Sequence, residues 1–182
     1  MLFRTMAAPD RIDTERLILR RPRARDARAI FARYAGDPEV TKFLSWPTHR
    51  SPVDTRVFLR FSDSEWTRWG VGPYLIESRE GQLLGSTGLS LETRYRAATG
   101  YVLAQDAWGH GYATEALQTM VVLAQSLGVR RLYALCYAAH AASAHVLEKC
   151  GFVREGILRS YLEFPNLTAG EPYDVACYAL VW

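Results

Sequence analysis

The chain has 182 residues, 49% of them hydrophobic and 12% aromatic, with a formal net charge of +3. Such a length and apolar content are enough for one ordinary domain with a buried core, and they exclude a disordered or low-complexity polymer. Of the 22 basic residues only Lys42 and Lys149 are lysine, and acidic residues are interspersed with the arginines, a near balance that argues against a nucleic-acid-binding domain.

The segment 1–13 is expected to be a flexible tail without the apolar h-region of a signal peptide, and a single domain is expected to span 14–182. No apolar run approaches the roughly 20 residues of a membrane span. Arg16 to Arg20 alternates as a short strand ended by Pro22. Asp26 to Tyr34 carries Ala27, Ile30, Phe31 and Tyr34 at helical spacing before Gly36-Asp37-Pro38 stops it. The arginines at 20, 21, 23, 25 and 28 read either as a solvated helix start or as a hold on an acidic substrate. Ser51-Pro52 has the form of an N-cap followed by a first-turn proline, and Val53, Val57, Phe58 and Phe61 give the next helix its expected apolar face.

A hairpin turns at Glu80-Gly81, between a strand at Tyr74 to Ile76 and one running from Leu83 to Leu91. Arg94 to Ala98 reads as a polar crossing. The stretch Thr99 to Leu127 then organises the chain: a strand from Tyr101 to Ala104, a turn from Gln105 to Gly111, and a helix from Tyr112 to Leu127. Ala113, Ala116, Leu117, Met120, Val121, Ala124 and Leu127 form the stripe of that helix, and Gly128 ends it. Gly109 and Gly111 precede a helix whose first N–H groups are unpaired, so the junction reads either as a tight turn or as an anion site suited to phosphate. It is not a P-loop, because no Gly-Lys-Ser/Thr follows. Nor is it a dinucleotide fingerprint, because Thr114 replaces the third glycine and Arg130-Arg131 stand where the acidic residue belongs.

Arg131 to Tyr137 reads as a buried strand, Ala141 to Cys150 as a short helix ended at Gly151, and Gly156 to Leu162 and Tyr173 to Val181 as closing strands. The result is an α+β fold on a mixed, mainly antiparallel sheet. Cys136, Cys150 and Cys177 are odd in number and have no metal-site spacing. They read as reduced thiols in a cytoplasmic protein, with no metal bound.

The segments Gly100-Tyr101-Val102-Leu103, Trp108-Gly109-His110-Gly111-Tyr112-Ala113-Thr114-Glu115-Ala116, His140-Ala141-Ala142-Ser143 and Val146-Leu147-Glu148-Lys149-Cys150-Gly151-Phe152 resemble the GNAT superfamily of N-acetyltransferases. They are closest to its branch of ribosomal-protein N-terminal acetyltransferases. The resemblance implies about seven strands with helices on both faces and a pyrophosphate loop between the fourth strand and the third helix. It implies acetyl-CoA as co-substrate and a primary amine as acceptor, on a protein N-terminus or a small molecule. Backbone around Val102 and Leu103 would then hold the pantetheine arm and the thioester carbonyl. Trp108, Gly109, His110, Gly111, Tyr112, Ala113 and Thr114 would form the phosphate loop, with His140 and Ser143 beside the arm.

Some positions depart from the family pattern. Leu147 replaces the tyrosine that many members use as an acid, which leaves Ser143 as either the donor to the leaving sulfur or a helix cap. His140 replaces an asparagine, and Gln105 a proline whose loss is expected to loosen the turn. For the base, Glu92 comes first by location and Glu163 second, with a water relay as rival. Phe43, Leu44, Trp46, Trp66 and Trp69 read as an acceptor pocket or as core. An acyl-CoA-binding module with little turnover is the alternative function. No nucleic acid or membrane partner is expected, and the oligomeric state is left between monomer and homodimer.

Overall fold

A computed structural model describes residues 7–182. Along its single sheet lie β1 (Arg11–Asp13), β2 (Leu17–Arg20), β3 (Pro73–Ser78), β4 (Leu83–Leu91), β5 (Arg96–Leu103), β6 (Arg131–Tyr137), β8 (Pro172–Val181) and β7 (Val153–Glu163), in that order. Every neighbouring pair is antiparallel except β5 with β6.

Eight described strands stand where about seven were expected. The extra one is β1, which pairs with β2 from Arg11↔Arg20 to Asp13↔Ile18. It lies within the segment expected to be a flexible tail. Ala8 is buried, its N–H donates to the Gly70 carbonyl at 2.8 Å, and the Pro9 carbonyl accepts from the Tyr74 hydroxyl at 2.7 Å. The expected tail over residues 1–6 lies outside the described residues. The supposed crossing at Arg94 to Ala98 is also corrected in part, because β5 begins at Arg96.

Helices cover both faces of the sheet. On one face α4 (Tyr112–Ser126) buries Ala116, Leu117, Met120, Leu123 and Ala124 against Leu17, Leu19, Tyr74, Ile76, Leu84 and Leu89, and α5 (Ala141–Lys149) adds Leu147. On the other face lies α1 (Ala27–Ile30), entered by a tight turn at Ala24–Asp26 and continued by a widened turn at Phe31–Ala35. After the short α2 (Pro38–Thr41), α3 (Pro52–Trp69) completes that layer, and Leu75 and Leu83 pack beneath it. Side chains alternate across a strand, so Leu75 enters one layer while Tyr74 and Ile76 enter the other.

The start of α3 is the expected cap: Ser51 accepts from the Val53 N–H while Asp54 accepts from the Ser51 N–H. Its buried face is not the expected one. Val53, Val57 and Phe61 are 60%, 56% and 49% exposed, while Thr55, Leu59, Ser62 and Trp66 are buried. Trp66 sets this rotation. Its indole donates to the Pro73 carbonyl at 3.0 Å and its ring meets Tyr74 edge-on at 5.1 Å, a burial that outweighs smaller Val and Phe gains at the helix start.

Candidate active site

β5 and β6 pair in register only from Arg96↔Arg131 to Ala98↔Tyr133 and then part, although β5 runs on to Leu103 and β6 to Tyr137. The fork opens towards the N-terminal ends of α4 and α5. On β5 the pleat assigns each backbone group to a side. Ala104 donates to the Leu84 carbonyl, and the Val102 carbonyl faces β4 so closely that a Cβ on Gly85 would stand 2.0 Å from it. Backbone groups alternate in direction along a strand, so Tyr101 and Leu103 turn theirs into the fork and Val102 does not. The Leu103 carbonyl is occupied by the Trp108 indole N–H at 2.8 Å. What remains for a ligand is the Tyr101 N–H and carbonyl and the Leu103 N–H.

At the end of β5 the chain turns through Gln105–Ala107 into the glycine pair. Gly109 and Gly111 have φ of +77° and +79°, the left-handed region that a side chain disfavours. Gly111 is the N-cap of α4, and no side chain caps that helix. The first N–H groups, from Gly111 to Thr114, are therefore free for an anion at the positive end of the helix dipole. The turn is not loosened at Gln105. Its amide donates to Asp37 at 3.0 Å, and Arg33 holds Asp106 at 2.8 Å, so two links tie the turn to the α1–α2 segment.

Across the fork, α5 brings Ser143 to Tyr101. The Tyr101 hydroxyl lies 3.0 Å from both the Ser143 carbonyl and the Ser143 Oγ. Desolvation, the larger influence, raises the Tyr101 pKa against the lowering effect of the Ser143 bond, so the phenol keeps its proton at neutral pH. Ser143 does not cap α5. His140 occupies that position without a side-chain cap bond, half-buried with its ring tilted against Phe43 at 4.6 Å, and burial pushes its pKa below the ordinary histidine value. Leu147 is only 1% exposed and belongs to the core.

The structure does not bring Glu92 to the fork. It lies level with Arg96, bonded to the Arg96 guanidinium at 2.5 Å and to the Tyr133 hydroxyl. From Arg96 to Tyr101 is roughly 16 Å along an extended strand. Glu163 ends β7 and is exposed next to Phe164, at the rim of an aromatic group. In that group Tyr137 stacks on Phe43 at 5.2 Å and meets Phe164 and Tyr173 edge-on. The aromatic residues flagged in the sequence thus divide. Phe43 stands beside His140 and Trp46 beside His49, whereas Trp66 is core and Trp69 packs against it. Of the arginine run, Arg20 is paired with Asp26 and Glu77 and Arg21 with Asp63, while Arg23, Arg25 and Arg28 are exposed.

Two residues not singled out from the sequence matter here. Tyr101 had a legible signal, since it shares a strand face with Leu103 inside a motif already set apart. Asn166 had none. Its side chain accepts from the N–H and hydroxyl of Thr48 and donates to the Thr41 and Trp46 carbonyls, stitching the β7–β8 connection to the segment after α2.

A parallel strand pair that parts in mid-sheet, beside an uncapped, glycine-led helix start, has the form of an acyltransferase site in which the fork would take a thioester arm and the helix end its phosphates. The residues present fit CoA in this way. A family model described as "Acetyltransferase (GNAT) domain" matches residues 16–153. An uncharacterized N-acetyltransferase of Bacillus subtilis, YoaA, is 32% identical over 179 residues, covering 93% of this chain and 96% of its own. Among solved structures, the microcin C7 self-immunity acetyltransferase MccE in complex with acetyl-CoA and AMP aligns with a TM-score of 0.85 at 20% identity, covering 97% of this chain and 98% of its own. The ribosomal L7/L12 α-N-protein acetyltransferase RimL in complex with coenzyme A aligns at 0.81 and 23%, covering 94% and 97%. The chain belongs to the GNAT acetyltransferase family. It is an acetyl-CoA-dependent N-acetyltransferase whose described residues form an eight-stranded, mostly antiparallel sheet.

Proposed function

We propose that the protein transfers the acetyl group of acetyl-CoA directly to a primary amine, on a protein N-terminus or a small molecule, in a ternary complex. The observation that carries this reading is the Tyr101–Ser143 hydrogen bond at the mouth of the fork. The thioester carbonyl is polarised by the Leu103 N–H, which β4 leaves free, in the manner of an oxyanion hole. The amine nitrogen forms the new bond to the acetyl carbon, and the C–S bond breaks with its electron pair going to sulfur. Ser143 Oγ–H turns to that sulfur while the Tyr101 O–H moves onto Ser143 Oγ, so a two-hydroxyl relay stabilises the thiolate. A free thiol has a pKa of about 8.5, so the relay need supply only modest help.

The amine enters from the side of Phe43, Tyr137, Phe164 and Tyr173. Glu163 at that rim attracts the ammonium form, and water carries the proton away without a buried carboxylate base. An α-amine, with a pKa near 8, needs no stronger base. Acetylation of an N-terminus is also what the name of RimL, a ribosomal L7/L12 α-N-protein acetyltransferase, describes for that protein.

The test is a screen for thiol release from acetyl-CoA with N-terminal peptides, polyamines, amino sugars and amino acids. Multiple turnovers with one class establish the acceptor. Binding of acetyl-CoA without turnover on any amine refutes the reading and leaves a CoA-binding module.

A further inference from the structure

Glu115 sits in the first turn of α4, yet its carboxylate leaves its own helix. Oε1 accepts from the Thr14 hydroxyl at 2.6 Å and the Arg16 N–H at 2.9 Å, and Oε2 accepts from Arg16 Nε at 2.7 Å. Arg16 carries the connection further. Its Nη1 donates to the His110 carbonyl at 2.8 Å, its guanidinium lies 5.0 Å over the Tyr112 ring, and Nη2 would stand 3.4 Å from a Cβ on Gly111. The β1–β2 connection is thus fastened to both sides of Gly111, about a hundred residues away in sequence.

We propose that Arg16 and Glu115 act as a latch that positions the loop His110-Gly111-Tyr112 for the pyrophosphate of CoA, a proposal that rests on the reading of this loop as the phosphate site. Two physical effects combine in it. A trans peptide points its C=O and N–H in opposite directions. Holding the His110 carbonyl towards Arg16 therefore turns the Gly111 N–H to the opposite side of the loop, as an anion donor. The second effect is charge. A lone carboxylate in the first turn suits the helix dipole but repels a bound pyrophosphate in the same field. Arg16 neutralises it while keeping its hydrogen bonds. Lysine does not substitute, because a single ammonium lacks the planar fork that reaches Glu115 and the His110 carbonyl together.

The latch predicts coupling between the two residues. Arg16→Ala frees the loop and exposes the carboxylate to the phosphates. Removing the charge as well, in Arg16→Ala/Glu115→Gln, relieves the second effect but not the first. Calorimetric titration of the full chain with CoA supplies the cycle, and the melting temperature without ligand reports on folding. Arg16→Ala is expected to weaken CoA about ten- to a hundredfold, the scale for losing hydrogen bonds to a charged group. Arg16→Lys should fall between it and the parent, and the double variant should bind CoA more tightly than Arg16→Ala does. With acetyl-CoA turnover, the Arg16→Ala loss should appear in KM for acetyl-CoA, with kcat retained at saturation.

Parent-like CoA affinity in Arg16→Ala overturns the latch. So does a double variant that binds no better than Arg16→Ala, because a purely structural staple is damaged twice and repaired by neither change. If Arg16→Ala does not fold, Arg16→Lys against Glu115→Gln decides on the same criteria. Failure of the parent itself to bind CoA refutes the phosphate-site reading instead, so the two failures are distinguishable.

Discussion

The hydroxyls of Tyr101 and Ser143 lie 3.0 Å apart, one on β5 where it parts from β6 and the other in the first turn of α5. Each constrains the other. A serine that would otherwise rotate freely is held facing the space between β5 and β6, and a phenol that burial keeps protonated finds its acceptor there. Ser143→Ala is expected to lower kcat about ten- to a hundredfold, at or below the lower bound of what general acid assistance contributes because a thiolate needs little help to leave, with acetyl-CoA affinity unchanged. Tyr101→Phe should lower kcat less, and the double variant should lose less than the product of the two, as for groups acting in one relay. Steady-state thiol release with the acceptor found in the screen measures this, and independent, multiplicative losses would refute the relay.

Gly111→Asp should abolish CoA binding. The position has φ +79° and nothing but Arg16 Nη2 near the new Cβ, so the variant is strained by about 1–2 kcal/mol yet not sterically blocked. Its carboxylate stands where the phosphate is to be held. A ligand at 100 times its Kd stabilises by about 2.7 kcal/mol, so the parent's melting temperature should rise with CoA and the variant's should not. An equal rise in both would displace the phosphate site from this loop.

The two carboxylates separate by position. Glu92 is held by Arg96 and Tyr133 at the paired end of the fork, so Glu92→Gln should keep kcat within about twofold, the range of a neutral surface change. Glu163 stands at the aromatic rim, and Glu163→Gln should raise KM for a cationic acceptor severalfold while leaving KM for acetyl-CoA alone, because a charge at the mouth steers binding rather than chemistry. A large fall in kcat for Glu92→Gln would restore it as the base, by a route the present geometry does not supply.

Why some of this was legible in sequence and some not follows from the range of the interactions. The stripe of α4 and the glycine stop after it are local, and the helix observed ends at Ser126 within a residue of the expected Leu127. The strand Arg131–Tyr137 was equally clear, because Leu132 to Tyr137 is an unbroken apolar run of strand length. The face of α3 was not. An 18-residue helix with Val53, Val57 and Phe61 on one side and Leu59 and Trp66 on another offers two stripes, and the choice is made by the Pro73 carbonyl waiting for the Trp66 indole. β1 has only three residues, too few for their polar-apolar-polar order to stand out; its partner β2 makes it a strand. At the site, the glycine pair and Ser143 could be named from a motif. The pleat that turns Val102 away and Tyr101 inward could not, because it depends on which edge β4 occupies.

The pH dependence of stability isolates His140. Burial holds its pKa below the ordinary value of about 6.5, so the folded protein keeps the ring neutral where the unfolded chain already takes up a proton. Below about pH 6.5 the unfolded state therefore binds more protons, and stability falls with pH until the folded-state value is passed. Its contribution is fully present above pH 6.5 and lost on acidification. His49 shifts in the same direction through burial and adds to the total. Melting temperatures from pH 7.5 to 5 should show this fall, and His140→Asn, which cannot titrate, should shrink it while leaving the His49 share. An identical profile in parent and variant would mean that the ring of His140, although packed against Phe43, is solvated enough to protonate without cost, and it would then be charged beside the fork under mildly acidic conditions.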